Sequence, residues 1–244
     1  MDVDELIAAI REQGDLMATA SEKVSLGVAI RTCPEWCMRD LVRHQGEVHR
    51  WATAIVRDAR SSPDVPSPDL PDDDELVAWF REGCTALVDV LEHAEPDVAC
   101  FAFMPAPSPL AFWARRQAHE TGIHRVDAEH AAGSITPFAV DLAVDGIEEM
   151  LFGFASRSRS RLRSPAPRSI GFRATDAAAQ WIVHIGADSV TVSREDGDAD
   201  CAVEAGASDL FMLLWNRVDP VEVRVAGDTD VLDLWRDKMR ISWS

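Results

Sequence analysis

The 244-residue sequence has little positive charge, no tyrosine and no long hydrophobic run. Its 24 lysines and arginines are outnumbered by 42 aspartates and glutamates, which gives a formal net charge of −18. Because nucleic acids and anionic membranes attract clustered cations, neither is expected as a partner. No apolar run approaches the roughly 18 residues that would span a membrane. Asp2, Asp4 and Glu5 stand where a secretory signal would be positive, so a cytoplasmic protein is expected.

The sequence also lacks the motifs of several common enzyme classes. Its five cysteines are scattered and odd in number, which favours reduced thiols over a disulfide framework. Cys33 and Cys37 have no second cysteine pair, so a cysteine-rich zinc site is not expected. There is no Gly-x-Gly-x-x-Gly motif or phosphate-binding loop, which leaves nucleotide use unsupported. A Gly-x-Ser-x-Gly nucleophile elbow is absent as well.

The composition is that of a folded protein with one or two domains. A hydrophobic content of 47% is enough for packed cores. Residues 61–75 are rich in proline and aspartate, which predicts a surface loop. Residues 156–169 alternate serine with arginine and then become proline-rich, which is typical of an interdomain linker. We therefore predict a first domain over residues 1–155 and a second over residues 169–244.

Before the predicted linker, apolar residues recur at helical spacing. Helices are predicted over residues 2–23, 34–60, 74–93, 108–131 and 137–154. Pro34 and Pro137 lie near two of the predicted starts, where proline is tolerated. Several long helices joined by loops predict an antiparallel helical bundle. Trp36, Trp113 and Trp215 are expected to be packing residues.

After the linker the hydrophobic period approaches two, which predicts strands. The predicted strands cover residues 170–174, 180–185, 189–193, 201–204 and 221–225, and the predicted helices cover residues 207–215 and 228–239. Residues 186–188 fit a hairpin turn. The second domain is therefore predicted to be a small α+β unit with an antiparallel sheet.

Glu120 and His124 lie four residues apart in a predicted helix, and so one turn apart on the same face. A carboxylate and an imidazole in this position can share a divalent cation, and zinc accepts both. Asp127 lies three residues further on and could orient His124 or pair with an arginine. His119 and His124 point about 140° apart, which excludes the His-Glu-x-x-His zincin motif. On its own, the Glu120–His124 pair is also typical of an ordinary surface contact.

A third ligand has to come from another part of the sequence. His44 falls in an apolar helical stripe with Leu41, Val48 and Trp51, which predicts an imidazole facing the bundle interior. A buried imidazole is costly unless it is hydrogen-bonded or coordinated. His44 is therefore the first candidate, with a satisfied core histidine as the alternative. His49, on a face predicted to be wetter, is the second candidate. Asp127 and His93 rank lower as ligands.

Four segments, in order along the chain, resemble one known family. Residues 36–44 (WCMRDLVRH) match its Trp-[Ser/Thr]-x-x-Asp-Leu-Val-x-His segment, and residues 116–127 match its His-Glu-Thr-x-x-His-Arg-x-Asp segment. Residues 143–151 resemble its following helix, and residues 199–228 resemble its C-terminal domain. The sequence thus resembles the mycothiol-dependent maleylpyruvate isomerase family. The resemblance implies a DinB-like four-helix bundle followed by an α+β domain that is similar to sterol-carrier folds.

The family resemblance implies a divalent metal, usually zinc, held by His44, Glu120 and His124. Three protein ligands leave one position open for water or a thiolate. The implied cosubstrate is mycothiol, an actinobacterial low-molecular-weight thiol, and the implied substrate is a small-molecule electrophile. In the isomerase the thiolate adds to a cis double bond, the new single bond rotates, and the thiol leaves to give the trans isomer. Relatives transfer the thiol to other electrophiles.

The resemblance also implies a catalytic arginine from the C-terminal domain, and Arg217 has the matching Leu-Leu-Trp-x-Arg context. A surface arginine paired with Asp219 is the alternative. Two positions depart from the family pattern: Asn216 stands where glycine is frequent, and Gln45 where leucine is frequent.

Two other functions remain open, a non-catalytic metal- or ligand-binding module and a metal-dependent hydrolase. The oligomeric state, monomer or homodimer, also remains open.

Overall fold

A computed structural model describes residues 1–241 and divides the chain into two compact units. The first unit is Met1–Thr136 and the second is Pro137–Ser244. Within the described residues, no helix combines the length and the apolarity needed to cross a lipid bilayer.

The first unit is a bundle of four helices. They are α1 (Val3–Glu22), α2 (Met38–Arg57), α3 (Leu76–His93) and α4 (Pro109–Ala132). α1 and α2 each pack against both α3 and α4. Met17, Leu41, Val42 and Phe80 are fully buried where the helices meet. Burial of these apolar side chains is the main stabilising contribution to such a bundle.

Local sequence determines where the helices of the first unit begin and end. Asp2 and Glu5 form a reciprocal capping box at the start of α1, with N···O distances of 2.8 and 2.9 Å. Ser108 caps α4 through the Ala111 N–H, and Pro109 occupies its first turn. Gly133 ends α4 in the left-handed conformation with φ of 86°, which glycine adopts without strain. α2 begins at Met38 rather than at Pro34 as predicted, because Pro34 lies in the preceding turn.

The second unit is an α+β domain. α5 (Val140–Glu148) continues as a π-helical turn over Glu149–Ala155. The strands are β1 (Arg168–Ala174), β2 (Gln180–Ile185), β3 (Val190–Ser193), β4 (Cys201–Ala205) and β5 (Arg224–Gly227). α6 (Ala207–Leu214), a short 3-10 helix (Pro220–Glu222) and α7 (Thr229–Lys238) complete the unit. The predicted fold class, a helical bundle followed by an α+β domain, is confirmed.

The sheet of the second unit is mixed and has the strand order β3-β2-β1-β4-β5. β1 pairs with β4 in parallel and the other neighbours are antiparallel, so the prediction of a purely antiparallel sheet was wrong. The physical reason is the crossover, because β4 returns beside β1 instead of extending the β2–β3 hairpin. The predicted hairpin turn is present, with the Gly186 N–H donating to the Ser189 carbonyl at 2.9 Å.

Residues 156–169, predicted as an interdomain linker, lie inside the second unit. Leu162 is fully buried, and the Ser164 N–H donates to the Gly186 carbonyl at 3.0 Å. α5 packs against α6, and the π-helical turn contacts β3. The predicted bounds of 1–155 and 169–244 therefore differ from the two units. A composition typical of linkers does not show that a buried leucine and a backbone hydrogen bond tie the segment to the sheet.

Candidate metal centre

Glu120 and His124 lie on α4, one helical turn apart, and both are buried. The His124 Nε2 atom is 3.5 Å from Glu120 Oε1. α4 is buried along most of its length, so these polar side chains lie inside the bundle rather than on its surface. Buried charged groups of this kind are retained where they are paired or bind a ligand.

α2 brings the third predicted residue to the same place. The His44 Nε2 atom is 3.8 Å from Glu120 Oε1, and the His44 side chain is 23% exposed. The two imidazole rings lie 5.1 Å apart between centroids. One ligand atom from each of His44, Glu120 and His124 lies within 4.8 Å of the others. The structure thus brings together the three side chains that the sequence singled out.

Two further residues of α4 fix the orientation of this cluster. The Arg116 Nη2 atom donates to Glu120 Oε2 at 2.9 Å, and both side chains are buried. The His124 Nδ1 atom is 3.0 Å from Asp127 Oδ2. As a result, Glu120 Oε1 and His124 Nε2 are the atoms turned toward His44. The prediction that Asp127 orients His124 agrees with this contact.

The electrostatics of the cluster are decided by competition between burial and charge. Burial alone raises the pKa of Glu120, but the Arg116 charge and the two imidazoles outweigh it and hold that pKa well below its usual value. Burial alone lowers the pKa of His124, but hydrogen bonds with Asp127 and Glu120 outweigh it and raise that pKa to about 9. Without a bound metal, the cluster therefore favours an ionised Glu120 and a protonated His124, and metal binding would release the imidazole proton.

The loop between α1 and α2 contributes residues that sequence reasoning missed. The Trp36 ring lies 4.9 Å from the His44 ring and 6.0 Å from the His124 ring, between centroids. Trp36 was expected to be only a packing residue. The Thr32 hydroxyl donates to Asp127 Oδ1 at 2.5 Å. Arg116 could have been found from its i,i+4 spacing to Glu120, but no local pattern points to Thr32.

The predicted exposure of His49 was wrong, and the prediction that His44 faces the bundle interior was right only in part. His49, predicted on a wetter face, is fully buried and stacks on Phe80, whereas His44 is partly exposed. The inward face of α2 runs through Gln45 and His49, because it follows the neighbouring helices rather than the apolar stripe chosen from the sequence. His49 Nε2 lies 2.9 Å from both the Gln45 side-chain nitrogen and Thr121 Oγ1. His49 is therefore a core histidine beside the cluster that is hydrogen-bonded through Nε2, whereas its buried Nδ1 atom has no partner among the described residues.

The remaining candidates lie outside the cluster. His93 is exposed, with its Nδ1 atom 2.7 Å from the Asp89 carbonyl. Cys37 precedes α2, where its thiol lies 3.0 Å from Asp40 Oδ2. His119 is buried on α4 but does not belong to the cluster.

Two predicted residues of the second unit follow α6. Arg217 is half-buried, and its Nη1 atom donates to the Trp215 carbonyl at 2.8 Å. Asn216 has φ of 59°. That left-handed backbone explains why glycine suits this position and why asparagine, which tolerates it, can replace glycine.

The donor set suits a divalent cation. Two imidazole nitrogens and one carboxylate oxygen are ligands that zinc accepts, and they leave a coordination position open. The other polar atoms of Glu120 and His124 already have partners in Arg116 and Asp127. Such outer contacts orient metal ligands in proteins. The residues present therefore fit a metal.

A four-helix bundle with a buried His–Glu–His cluster, followed by an α+β unit, defines the class of this protein. Residues 6–129 match the family model described as the mycothiol maleylpyruvate isomerase N-terminal domain. Residues 141–234 match the model described as the MDMPI C-terminal domain. The chain therefore belongs to the mycothiol maleylpyruvate isomerase family, as the sequence motifs predicted.

Two solved structures are similar over nearly the whole chain. A crystal structure of the mycothiol-dependent maleylpyruvate isomerase is 12% identical, with a TM-score of 0.65 and coverage of 93% of each chain. A crystal structure of a single-residue mutant of that isomerase is 11% identical, with a TM-score of 0.64 and the same coverage. At these identities the likeness shows a common fold. No curated protein matches the sequence significantly.

Proposed function

We propose that this protein is a metal-dependent enzyme that uses mycothiol as its thiol cosubstrate. The observation that carries the proposal is the meeting of His44, Glu120 and His124 ligand atoms within 4.8 Å. Family membership supports the thiol. The reaction is isomerisation of a maleylpyruvate-type cis double bond or transfer of the thiol to another small electrophile, in the cytoplasm.

His44, Glu120 and His124 would hold the metal, and zinc is the ion we propose. A divalent cation, when bound, lowers the pKa of a coordinated thiol and so makes a thiolate available near neutral pH. Asp127 holds His124 through Nδ1, which keeps Nε2 turned toward the cluster. Arg116 holds Oε2 of Glu120 and offsets its negative charge. These contacts preorganise the ligands without using the atoms that would bind the ion.

Arg217 is proposed as the cation that binds a carboxylate of the substrate. A dicarboxylate substrate needs such a partner, and a guanidinium binds a carboxylate through two parallel hydrogen bonds. We expect Arg217→Lys to raise KM more than it lowers kcat and to leave the metal content unchanged. Loss of metal in that variant would contradict a role limited to substrate binding.

Elemental analysis of the purified protein tests the metal assignment. We expect about one divalent ion per chain in the wild type and none in the His44→Ala/His124→Ala variant. His93→Ala is the matched control, because His93 is an exposed histidine outside the cluster. Metal content that stays unchanged in the double variant would remove the assignment.

Assays of turnover then distinguish the possible chemistries. Mycothiol-dependent conversion of a cis-dicarboxylate, or mycothiol consumption with a panel of electrophiles, supports the proposal. Hydrolysis that does not need a thiol would favour a metal-dependent hydrolase. Bound metal without any turnover would favour a binding module on the same scaffold.

A further inference from the structure

The loop between α1 and α2, residues 23–37, contacts the cluster through Trp36 and contacts Asp127, the partner of His124, through Thr32. Its Thr32 hydroxyl donates to Asp127 Oδ1 at 2.5 Å. Its Trp36 ring lies against the His44 and His124 rings. Through Trp36 this segment therefore contacts both imidazoles of the candidate centre directly, and through Thr32 and Asp127 it also reaches His124.

The backbone of this loop is held in place by its own hydrogen bonds. The Ile30 N–H donates to the Trp36 carbonyl at 2.9 Å, and the Trp36 N–H donates to the Cys33 carbonyl at 2.8 Å. Ala29 and Cys37 form an isolated antiparallel bridge. Because these bonds close the loop on itself, Thr32 and Trp36 are presented from one preorganised turn. The Thr32 hydroxyl can therefore act as a fixed group.

Asp127 connects Thr32 to His124, because its carboxylate contacts both side chains. Asp127 is fully buried, and its two oxygens face different partners, with Oδ1 toward Thr32 and Oδ2 toward His124 Nδ1. A carboxylate bonded through both oxygens cannot rotate without losing one of the bonds. A fixed carboxylate in turn fixes the plane of the imidazole and the direction of its Nε2 atom.

We propose that Thr32 is a positioning residue for the metal centre, acting through Asp127 on His124. The inference rests on the proposed function, because it concerns the affinity of the His44–Glu120–His124 cluster for a metal. Thr32 lies on a loop outside the bundle helices, and its role is to hold a ligand's partner rather than to bind the ion.

The test measures zinc affinity by competition with a chromophoric chelator. Thr32→Val keeps the shape of the side chain and removes the donor, and we expect it to weaken zinc binding about tenfold, as the loss of outer-shell partners does. Thr32→Ser keeps the hydroxyl and should bind zinc within about twofold of the wild type. Thr53→Val is the matched control, because it removes a buried hydroxyl that donates to the His49 carbonyl at 2.7 Å. It should lower stability and leave zinc affinity unchanged.

A double-mutant cycle separates positioning through Asp127 from a general structural role. Asp127→Asn is expected to weaken zinc binding by about 10- to 100-fold. If Thr32 acts through the Asp127 carboxylate, Thr32→Val should add little to that loss in the Asp127→Asn background. Additive losses, or wild-type affinity in Thr32→Val, would overturn the inference while leaving the metal site in place. Failure of the wild type to bind zinc would instead overturn the proposed function and, with it, the inference.

Discussion

The imidazole rings of His44 and His124 meet edge to face at the candidate centre, with an interplanar angle of 80° and centroids 5.1 Å apart. They come from different helices, α2 and α4. Glu120 Oε1 lies within 3.8 Å of Nε2 on both rings. The packing of two helices therefore creates a donor set that neither helix has alone.

The contributions of Arg116 and Glu120 to the free energy of unfolding should be strongly coupled. Arg116→Met leaves the buried Glu120 carboxylate without its cation. Removing one partner of a buried ion pair costs about 3–5 kcal/mol. We expect a loss of about 3 kcal/mol in the free energy of unfolding, because His124 still contacts Glu120. The measurement is urea denaturation of the metal-free protein. In the Arg116→Met/Glu120→Leu variant the loss should be smaller than the sum of the two single losses. Additive losses would contradict the coupling.

His49 should make the folded state sensitive to acid. Its pKa is lowered from 6.5 to about 3, and burial is the largest cause. The charges of Arg50, His124 and His44 contribute to this lowering, and that of Glu120 opposes it. Below about pH 6.5 the unfolded chain binds a proton that the folded protein does not, so stability falls by about 1.4 kcal/mol per pH unit until about pH 3.

The measurement for His49 is the difference between wild type and His49→Gln in urea unfolding at several pH values. Other titrating groups are common to both proteins and cancel in the difference. We expect the wild type to lose more stability than His49→Gln between about pH 6.5 and about pH 4.5. Parallel pH dependences in the two proteins would show that His49 takes up a proton equally in the folded and unfolded states.

Asn216 should tolerate glycine better than a branched residue. Its φ of 59° costs a β-branched side chain about 1–2 kcal/mol. Its amide nitrogen also donates to the Arg236 and Met239 carbonyls at 3.3 and 3.4 Å. We expect Asn216→Val to lower the free energy of unfolding more than Asn216→Gly does. Asn216→Asp is the control that removes these donors and keeps the side-chain shape.

Gly46 should be intolerant of alanine despite its place inside a helix. Replacing an exposed glycine inside a helix with alanine usually raises the free energy of unfolding, by about 1 kcal/mol. At Gly46, however, an added Cβ would lie 2.1 Å from the Trp79 ring. We expect a net loss of about 1–3 kcal/mol in urea denaturation. Gly46→Ala/Trp79→Leu should recover part of that loss, and an unchanged loss would point to a cause other than the ring.

The amino-acid sequence by itself determined the helices, most strands, the family motifs and the Glu120–His124 pair. These depend on local spacing, because residues four apart in a helix share a face wherever the helix lies. The choice of His44 also came from the sequence, but for a partly wrong reason. The apolar stripe predicted an inward His44, whereas the buried histidine of α2 is His49.

Only the tertiary structure decided which groups surround the candidate centre. Thr32 contacts Asp127 across a long stretch of chain, and Trp36 reaches both imidazoles because of how its loop folds back. The parallel pairing of β1 with β4 and the place of residues 156–169 in the second unit were likewise decided by packing. Contacts between distant segments depend on which surfaces can be buried together, and local periodicity carries no information about that choice.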